Sequence, residues 1–282
     1  MHLSSDDLIA QCKALALGRG FLQAGVANQH GSSYLTLAVP YLSATQESRQ
    51  VMGLFACHDN YQAAVRLAKE LRKDLASLFN LPPKSFSIAC NSRHLNEKKL
   101  AVDAGIGVYG KNSLVIVDGW GSFVVLLAVE LPLYFLHLQP VNRVAERCLS
   151  CNLCQRACPP NALHHAYRLD RTLCLQSMAS NGMLPVSDNL PVIYGCDICQ
   201  NVCPYNKSAL AYYKEAAAEA TLEPWCDLAL WERGDLADIQ KAVKSSPLKF
   251  SWLDKEALML NARVRAWSRA MRWAVQKELD SE

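Results

Sequence analysis

The chain has 282 residues, 51% of them hydrophobic, and 29 Lys and Arg against 26 Asp and Glu, a formal charge of +3. That length allows one large domain or two of ordinary size with a real core, and so small a positive excess gives no general argument for nucleic-acid binding. The start, Met1-His-Leu-Ser-Ser-Asp-Asp, lacks a secretory signal, and the most apolar run, Phe123 to Leu136, is broken by Glu130 and Pro132 and is too short for a membrane span. A cytoplasmic protein with reduced thiols and no membrane contact is expected.

In chain order, Ser4 or Ser5 caps a first helix, with Asp6 and Asp7 suited to its first turn. Leu8, Ile9, Cys12, Leu15 and Leu17 make its apolar stripe, which ends near Gly18 and Gly20; Cys12 reads as a core residue. Tyr34 to Tyr41 is a strand with a terminal proline. Tyr61, Ala64, Leu67, Ala68, Leu71, Leu75 and Leu78 recur at three and four residues, which predicts an amphipathic helix over 60–79. Residues 85–90 read as a short strand and 95–104 as a short helix.

Residues 104–113, AGIGVYGKNS, place Gly105, Gly107 and Gly110 within six positions. Such a run allows close backbone approach to a ligand, and Lys111 adds a positive charge beside exposed amides. The loop is a candidate anion or cofactor cradle. A strand follows it rather than a helix, so a dinucleotide-binding reading is rejected. Strands over 113–117 and 122–130 are expected to join as a hairpin through Asp118, Gly119, Trp120 and Gly121.

Residues 148–203 hold eight of the twelve cysteines. Cys148, Cys151, Cys154 and Cys158 with Pro159 spell C-x2-C-x2-C-x3-C-P, the run that ligates iron–sulfur clusters in bacterial ferredoxins. Cys174 stands alone, and Cys196, Cys199 and Cys203 with Pro204 repeat the C-x3-C-P ending. Three thiolates two residues apart can wrap one iron cube, and the fourth, followed by Pro, reaches the other cube. Cys148, Cys151, Cys154 and Cys203 are therefore assigned to one [4Fe–4S] cluster. Cys174, Cys196, Cys199 and Cys158 are assigned to a second. Zinc sites would use pairs closing tetrahedra, and disulfides an oxidising compartment. Two clusters with their thiolates carry about −4, which brings the loaded protein to about −1. Cys57, Cys90 and Cys226 read as buried free thiols.

After residue 207 the chain reads as helical over 207–220, about 235–244, and 254–279. The last helix carries Arg263, Arg265, Arg269, Arg272 and Lys277. The plain reading is a solvated face; the sharper one is a phosphate-contacting surface. The fold class expected is α+β. Residues 1–140 alternate helices and strands, 141–206 form the cluster module, and 207–282 are a helical segment.

The glycine loop and the cysteine pattern together resemble epoxyqueuosine reductase, the cobalamin-dependent iron–sulfur family that completes queuosine in tRNA. Ala104 to Asn112 resembles the family's AGLGWIGKN, Tyr194 to Pro204 its YGCDDCQxVCP, and Leu169 to Cys174 the stretch around its isolated cysteine. Tyr34 to Tyr41, Ser246 to Leu248 and Leu260 to Ala262 resemble further segments. The resemblance implies a reductive-dehalogenase-like cobalamin domain stacked on a ferredoxin-like double-cluster module. It also implies electrons passing from a flavodoxin- or ferredoxin-type donor through two clusters to cobalt, tRNA as partner, and a monomer. Gly105, Gly107, Tyr109, Gly110, Lys111, Asn112, Tyr194 and Asp197 become cobalamin contacts on this reading. The family's proton-donating aspartate aligns with Asn91, which cannot deliver a proton as a carboxylic acid does. Cys90, His94, Glu97 and Asp103 are nearby substitutes, and His58, Asp59 and Tyr61 match a further family position. The readings that compete are a reductase of the same build acting on an organohalide or epoxide, and an electron-transfer protein without substrate chemistry.

Overall fold

A computed structural model describes residues 4–279 apart from 142, 182, 184–189 and 252, with side chains described as far as residue 271. Helix α1 (Ser5–Gly18) opens with Ser4 and Asp7 capping each other's backbone N–H groups, the capping box that the Ser-Ser-Asp-Asp start encodes. Strands β1 (Gln23–Gln29) and β2 (Ser32–Pro40) follow as an antiparallel hairpin. Its turn residues His30 and Gly31 have φ of 52° and 79°, the left-handed pair that a two-residue hairpin of matching twist needs.

The β1 strand was not expected from QAGVANQ, a segment poor in β-branched residues. Packing explains it. A Cβ on Gly25 would stand 2.3 Å from the Ala104 carbonyl oxygen, so glycine is what lets the strand pass under the neighbouring loop.

After α2 (Gln46–Val51) comes α3 (Asn60–Phe79), which matches the predicted helix. It is capped by Asp59 at its start and by left-handed Asn80 at its end, and it buries Ala64, Ala68, Leu71 and Leu75. Strand β3 (Ile88–Cys90), helix α4 (Glu97–Asp103), strands β4 (Val108–Tyr109) and β5 (Val115–Ile116), and strand β6 (Val124–Leu131) complete this half.

The main sheet runs β1-β2-β6-β3, antiparallel throughout. Leu35, Leu37, Val125, Leu127 and Val129 point to the face covered by α1 and α3. The alternate residues Ala38, Val124 and Ala128 point to the face covered by α4 and the glycine loop. This period-two split is why 124–131 reads as continuously apolar: both faces are covered.

The expected hairpin of 113–117 with 122–130 is corrected. β5 pairs with β4 in a separate small sheet, and the turn keeps one bridge, Val117 to Gly121. The turn instead docks on the cysteine module. Ser122 N–H donates to Asn206 Oδ1 at 2.7 Å, Ser122 Oγ donates to Gln200 Oε1 at 2.9 Å, and a Cβ on Gly121 would lie 1.8 Å from Asn206 Oδ1.

Short helices α5 (Leu153–Ala157), α6 (Leu175–Ser180) and α7 (Ile198–Asn201) carry the cysteines. The C-terminal helices are α8 (Lys207–Glu215), α9 (Leu228–Arg233), α10 (Leu236–Ala242) and α11 (Lys255–Leu279). They share a core with residues 44–57 and with Ile193 and Tyr194. Trp225 Nε1 donates to Ala56 O and Trp231 Nε1 to Trp225 O, each at 2.8 Å, so both buried indoles are satisfied.

On α11, Arg263 donates to the Glu232 and Gly234 carbonyls, Arg265 to the Pro191 carbonyl, and Arg269 pairs with Glu232. Arg263 and Arg269 are exposed, as a solvated face requires, while all three arginines also clasp α9 and its surroundings. The side chains of Arg272 and Lys277 lie outside the described residues.

Candidate functional site

The eight cysteines are presented by turns and helices only four to six residues long. Cys148 lies in the turn Glu146–Leu149, Cys151 precedes α5, Cys154 is inside it, and Cys158 ends it. Cys174 caps α6, Cys196 precedes α7, Cys199 is inside α7 and Cys203 follows it. α5 and α7 pack on each other, which brings the two runs side by side.

The electrostatics sort these thiols into two groups. Burial pushes Cys154 up, and Cys148, Cys203 and Cys151 add to the shift. Cys203 is raised by burial and then by Cys148 and Cys151. Cys196 is pushed up to about 11, first by burial, then by Asp197, Cys174 and Cys158. Cys199 rises by burial and then through Cys196, Asp197, Cys154 and Cys174. Cys203 thus feels Cys148 and Cys151 of the first run, and Cys196 feels Cys174 and Cys158. Cys154 acts on Cys199 as well, so the two groups adjoin.

Crowded, buried thiols resist ionisation unless a cationic centre offsets their charge, which is what iron does in a cluster. The first group encloses a cavity with Lys111, Asn112, Ile116, Arg147 and Tyr205 in its wall. Asn112 Nδ2 in that wall and Tyr167 OH beside it are buried with no hydrogen-bond partner among the described residues. Thiolates plus unspent donors are the lining a negatively charged cluster fits.

The glycine loop is used mostly by the fold itself. A Cβ on Gly107 would meet Val115 Cγ1 at 2.4 Å, and one on Gly110 would meet Asn112 Oδ1 at 2.8 Å and Ile116 Cδ1 at 2.9 Å, so both glycines let the loop lie on β5. Gly105, with φ of 73°, is exposed, with nothing within 4 Å of its missing Cβ. Tyr109 exchanges backbone hydrogen bonds with the segment that enters the cysteine module, Tyr109 N–H to Arg143 O and Ala145 N–H to Tyr109 O. Lys111 is 8% exposed and its Nζ donates to Asn152 Oδ1 at 2.6 Å, inside the first cysteine run.

The second group faces the sheet half. Asp197, raised by burial, accepts from Leu54 N–H at 2.6 Å and from Gln200 Nε2 at 3.0 Å. Tyr194 is buried, with its hydroxyl 3.3 Å from Ser180 Oγ.

Next to this junction Tyr61, Cys90, Asp59 and Glu97 lie close enough to act on one another electrostatically, and Tyr61 and Cys90 pack against the core under α1 and α3. Burial pushes Tyr61 up to about 12, with Cys90, Tyr194, Glu97 and Asp59 contributing. Cys90 is also pushed up to about 12 by burial and then by Glu97 and Asp59. Asp59 pairs with Lys249 Nζ at 3.0 Å. Asn91 ends β3 in the left-handed region, φ 53°, with its side chain exposed, and Glu97 holds the following turn by accepting from Ser92 N–H at 2.6 Å.

Of the other candidates, His58 bridges Glu223 and the Ser43 carbonyl, Asp103 pairs with Lys99, and His94 is an exposed turn residue. Cys57 and Cys226 are buried against each other, and Cys226 Sγ lies 3.7 Å from Cys57 O. Sequence reasoning missed Lys98, which donates to Ser113 O at 2.9 Å; burial lowers it, and Cys199 and Cys174 work in the opposite direction. It also missed Tyr167, Gln200 and Asn206. No spacing marks these residues, because each is recruited by a partner far away in the chain.

Residues 147–206 match the family described as a 4Fe-4S double cluster binding domain, so the chain carries two [4Fe–4S] clusters. An epoxyqueuosine reductase of Lactococcus garvieae is 30% identical over 213 residues, 72% of this chain and 57% of that protein. The solved epoxyqueuosine reductase of Streptococcus thermophilus superposes with a TM-score of 0.70 at 20% identity, covering 96% of this chain and 84% of that one. A crystal structure of an epoxyqueuosine reductase with an epoxyqueuosine-modified tRNA-Tyr stem loop gives 0.66 at 19% identity, covering 92% and 80%. The chain thus resembles epoxyqueuosine reductases in sequence and has their fold. It spans about half the length of the curated relatives it matches, 44%, 51% and 57% in three of them.

Proposed function

We propose that this chain is an iron–sulfur and cobalamin-dependent reductase whose substrate is epoxyqueuosine in tRNA. The observation that carries the reading is the junction at Asp197. This residue stands between two ligands of the second cluster and is bonded to Leu54, whose segment leads to Asp59 and Tyr61 and their neighbours Cys90 and Glu97.

The clusters supply one-electron steps, and cobalamin supplies the cobalt centre at which a substrate can be reduced. The chain's own residues do the rest. Cys148, Cys151, Cys154 and Cys203 hold one cluster, and Cys158, Cys174, Cys196 and Cys199 hold the other. Gly105, Tyr109 and Tyr194 are the cobalamin contacts retained from the loop and the junction. Gly107, Gly110, Lys111, Asn112 and Asp197 support the structure around them instead.

Cys90 and its neighbour Tyr61 keep their protons at neutral pH, so proton-carrying side chains stand next to Asn91, which has none to give. A cytoplasmic carrier of flavodoxin or ferredoxin type delivers electrons.

Asn91 favours a second reading, in which the same architecture reduces a smaller epoxide or an organohalide. One experiment separates the two. Protein reconstituted anaerobically with iron, sulfide and cobalamin is assayed for iron, cobalt and conversion of epoxyqueuosine-tRNA, beside Asn91→Asp. About eight irons, one retained cobalt and turnover support the first reading. Cobalt retained without turnover in either protein supports the second, and about eight irons with no retained cobalt leaves an electron carrier.

A further inference from the structure

Two hydrogen-bond donors beside the first cysteine group have no partner among the described residues. Asn112 is 4% exposed and lines the cavity enclosed by Cys148, Cys151, Cys154 and Cys203. Its Oδ1 accepts from Leu114 N–H at 3.3 Å, which fixes the orientation of the amide and leaves Nδ2 as a buried donor without a partner. Tyr167 packs with Ile116, Ala145 and Cys148, and its hydroxyl is likewise buried and unpaired. Its backbone is pinned by Tyr167 N–H to Lys111 O at 3.0 Å, in the left-handed region at φ 62°. A buried donor left without a partner is costly, so one in the cavity wall and another packed on Cys148 beside it mark an acceptor that belongs there.

We propose that Asn112 Nδ2 and Tyr167 OH donate hydrogen bonds to the sulfurs of the first [4Fe–4S] cluster and set its reduction potential. They are positioning residues for electron entry, and Asn112 is thereby not a contact of cobalamin. The inference rests on the double-cluster assignment and is independent of the substrate. A cluster gains negative charge on reduction, and N–H and O–H donors to its sulfurs stabilise the reduced form more than the oxidised form. Lys111, bonded to Asn152 in the same run, adds fixed positive charge to that site.

The test is an anaerobic redox titration of the reconstituted protein, followed by electron paramagnetic resonance, for wild type, Tyr167→Phe and Asn112→Leu. Cys203→Ser and Cys199→Ser assign each signal to its cluster. Tyr167→Phe removes one hydroxyl and keeps the ring, so it reads the effect even where Asn112→Leu folds poorly. The expected result is a more negative midpoint for the first cluster in both variants, an unchanged second cluster, and unchanged iron content and cobalt retention. Unchanged midpoints with both clusters present would overturn the proposal, since the donors would then serve solvent. A loss of cobalt retention in Asn112→Leu with both midpoints unmoved would overturn it in favour of cobalamin. Loss of a whole cluster's iron in wild type would instead break the double-cluster assignment itself.

Discussion

The carboxylate of Asp197 accepts the backbone N–H of Leu54 at 2.6 Å, across 143 positions of sequence. Beside it Gly53 and Gly195 touch backbone to backbone: a Cβ on Gly195 would lie 2.9 Å from Gly53 Cα. The second cysteine run is thus fastened to the sheet half at a place where side chains would not fit. Asp197→Ala strands a buried N–H and is expected to lower stability by about 1–3 kcal/mol. Asp197→Asn keeps an acceptor oxygen and loses less. Denaturant unfolding of the two variants, loaded with clusters, checks the order.

The crosswise ligand sets make a prediction that a sequential pairing does not. Cys158→Ser should damage the same cluster as Cys199→Ser, and Cys203→Ser the same one as Cys148→Ser. Each variant should retain about four of about eight irons. Electron paramagnetic resonance should show one surviving signal in the first pair and the other signal in the second. A common signal for Cys158→Ser and Cys148→Ser would reverse the assignment.

The C-terminal helices are held by aromatic burial. Trp231 is fully buried, and its indole N–H is bonded to the Trp225 carbonyl, while Trp225 is bonded to Ala56. Trp231→Ala is expected to cost about 3–5 kcal/mol. Because residues 44–57 share that core, the loss should appear as one earlier unfolding transition that also releases iron, followed by circular dichroism and visible absorbance together.

The Cys90 thiol is pushed up to about 12 by burial, so at pH 8 about one molecule in ten thousand carries the thiolate. In the cluster-loaded protein it should resist alkylation by iodoacetamide at pH 8, and so should buried Cys12, Cys57 and Cys226. Peptide mapping after brief labelling reads this directly. Rapid modification of Cys90 would make it a reactive thiol.

Much of this molecule is legible in its residues. The 60–79 helix follows from apolar side chains three and four apart, the Ser4 cap from the chemistry of a free N–H, and the double-cluster domain from the C-x3-C-P endings. These are local or strictly spaced signals, and local physics is enough to read them. The β1 strand and the 118–121 turn were not legible in the same way. Gly25 is a strand residue because of Ala104, and Gly121 docks on Asn206, each a contact made far along the chain.

The glycine loop shows the division most sharply. Its composition suggested a ligand cradle, yet Gly107 and Gly110 serve the packing of β5, Lys111 turns to Asn152, and Asn112 lines the first cysteine cavity. The sequence by itself determined which atoms can bind iron, since thiolate spacing is a property of the covalent chain. Only the tertiary structure decided which buried donors surround those thiols, because a hydrogen bond left without a partner is visible only once every neighbouring segment has been brought to its place.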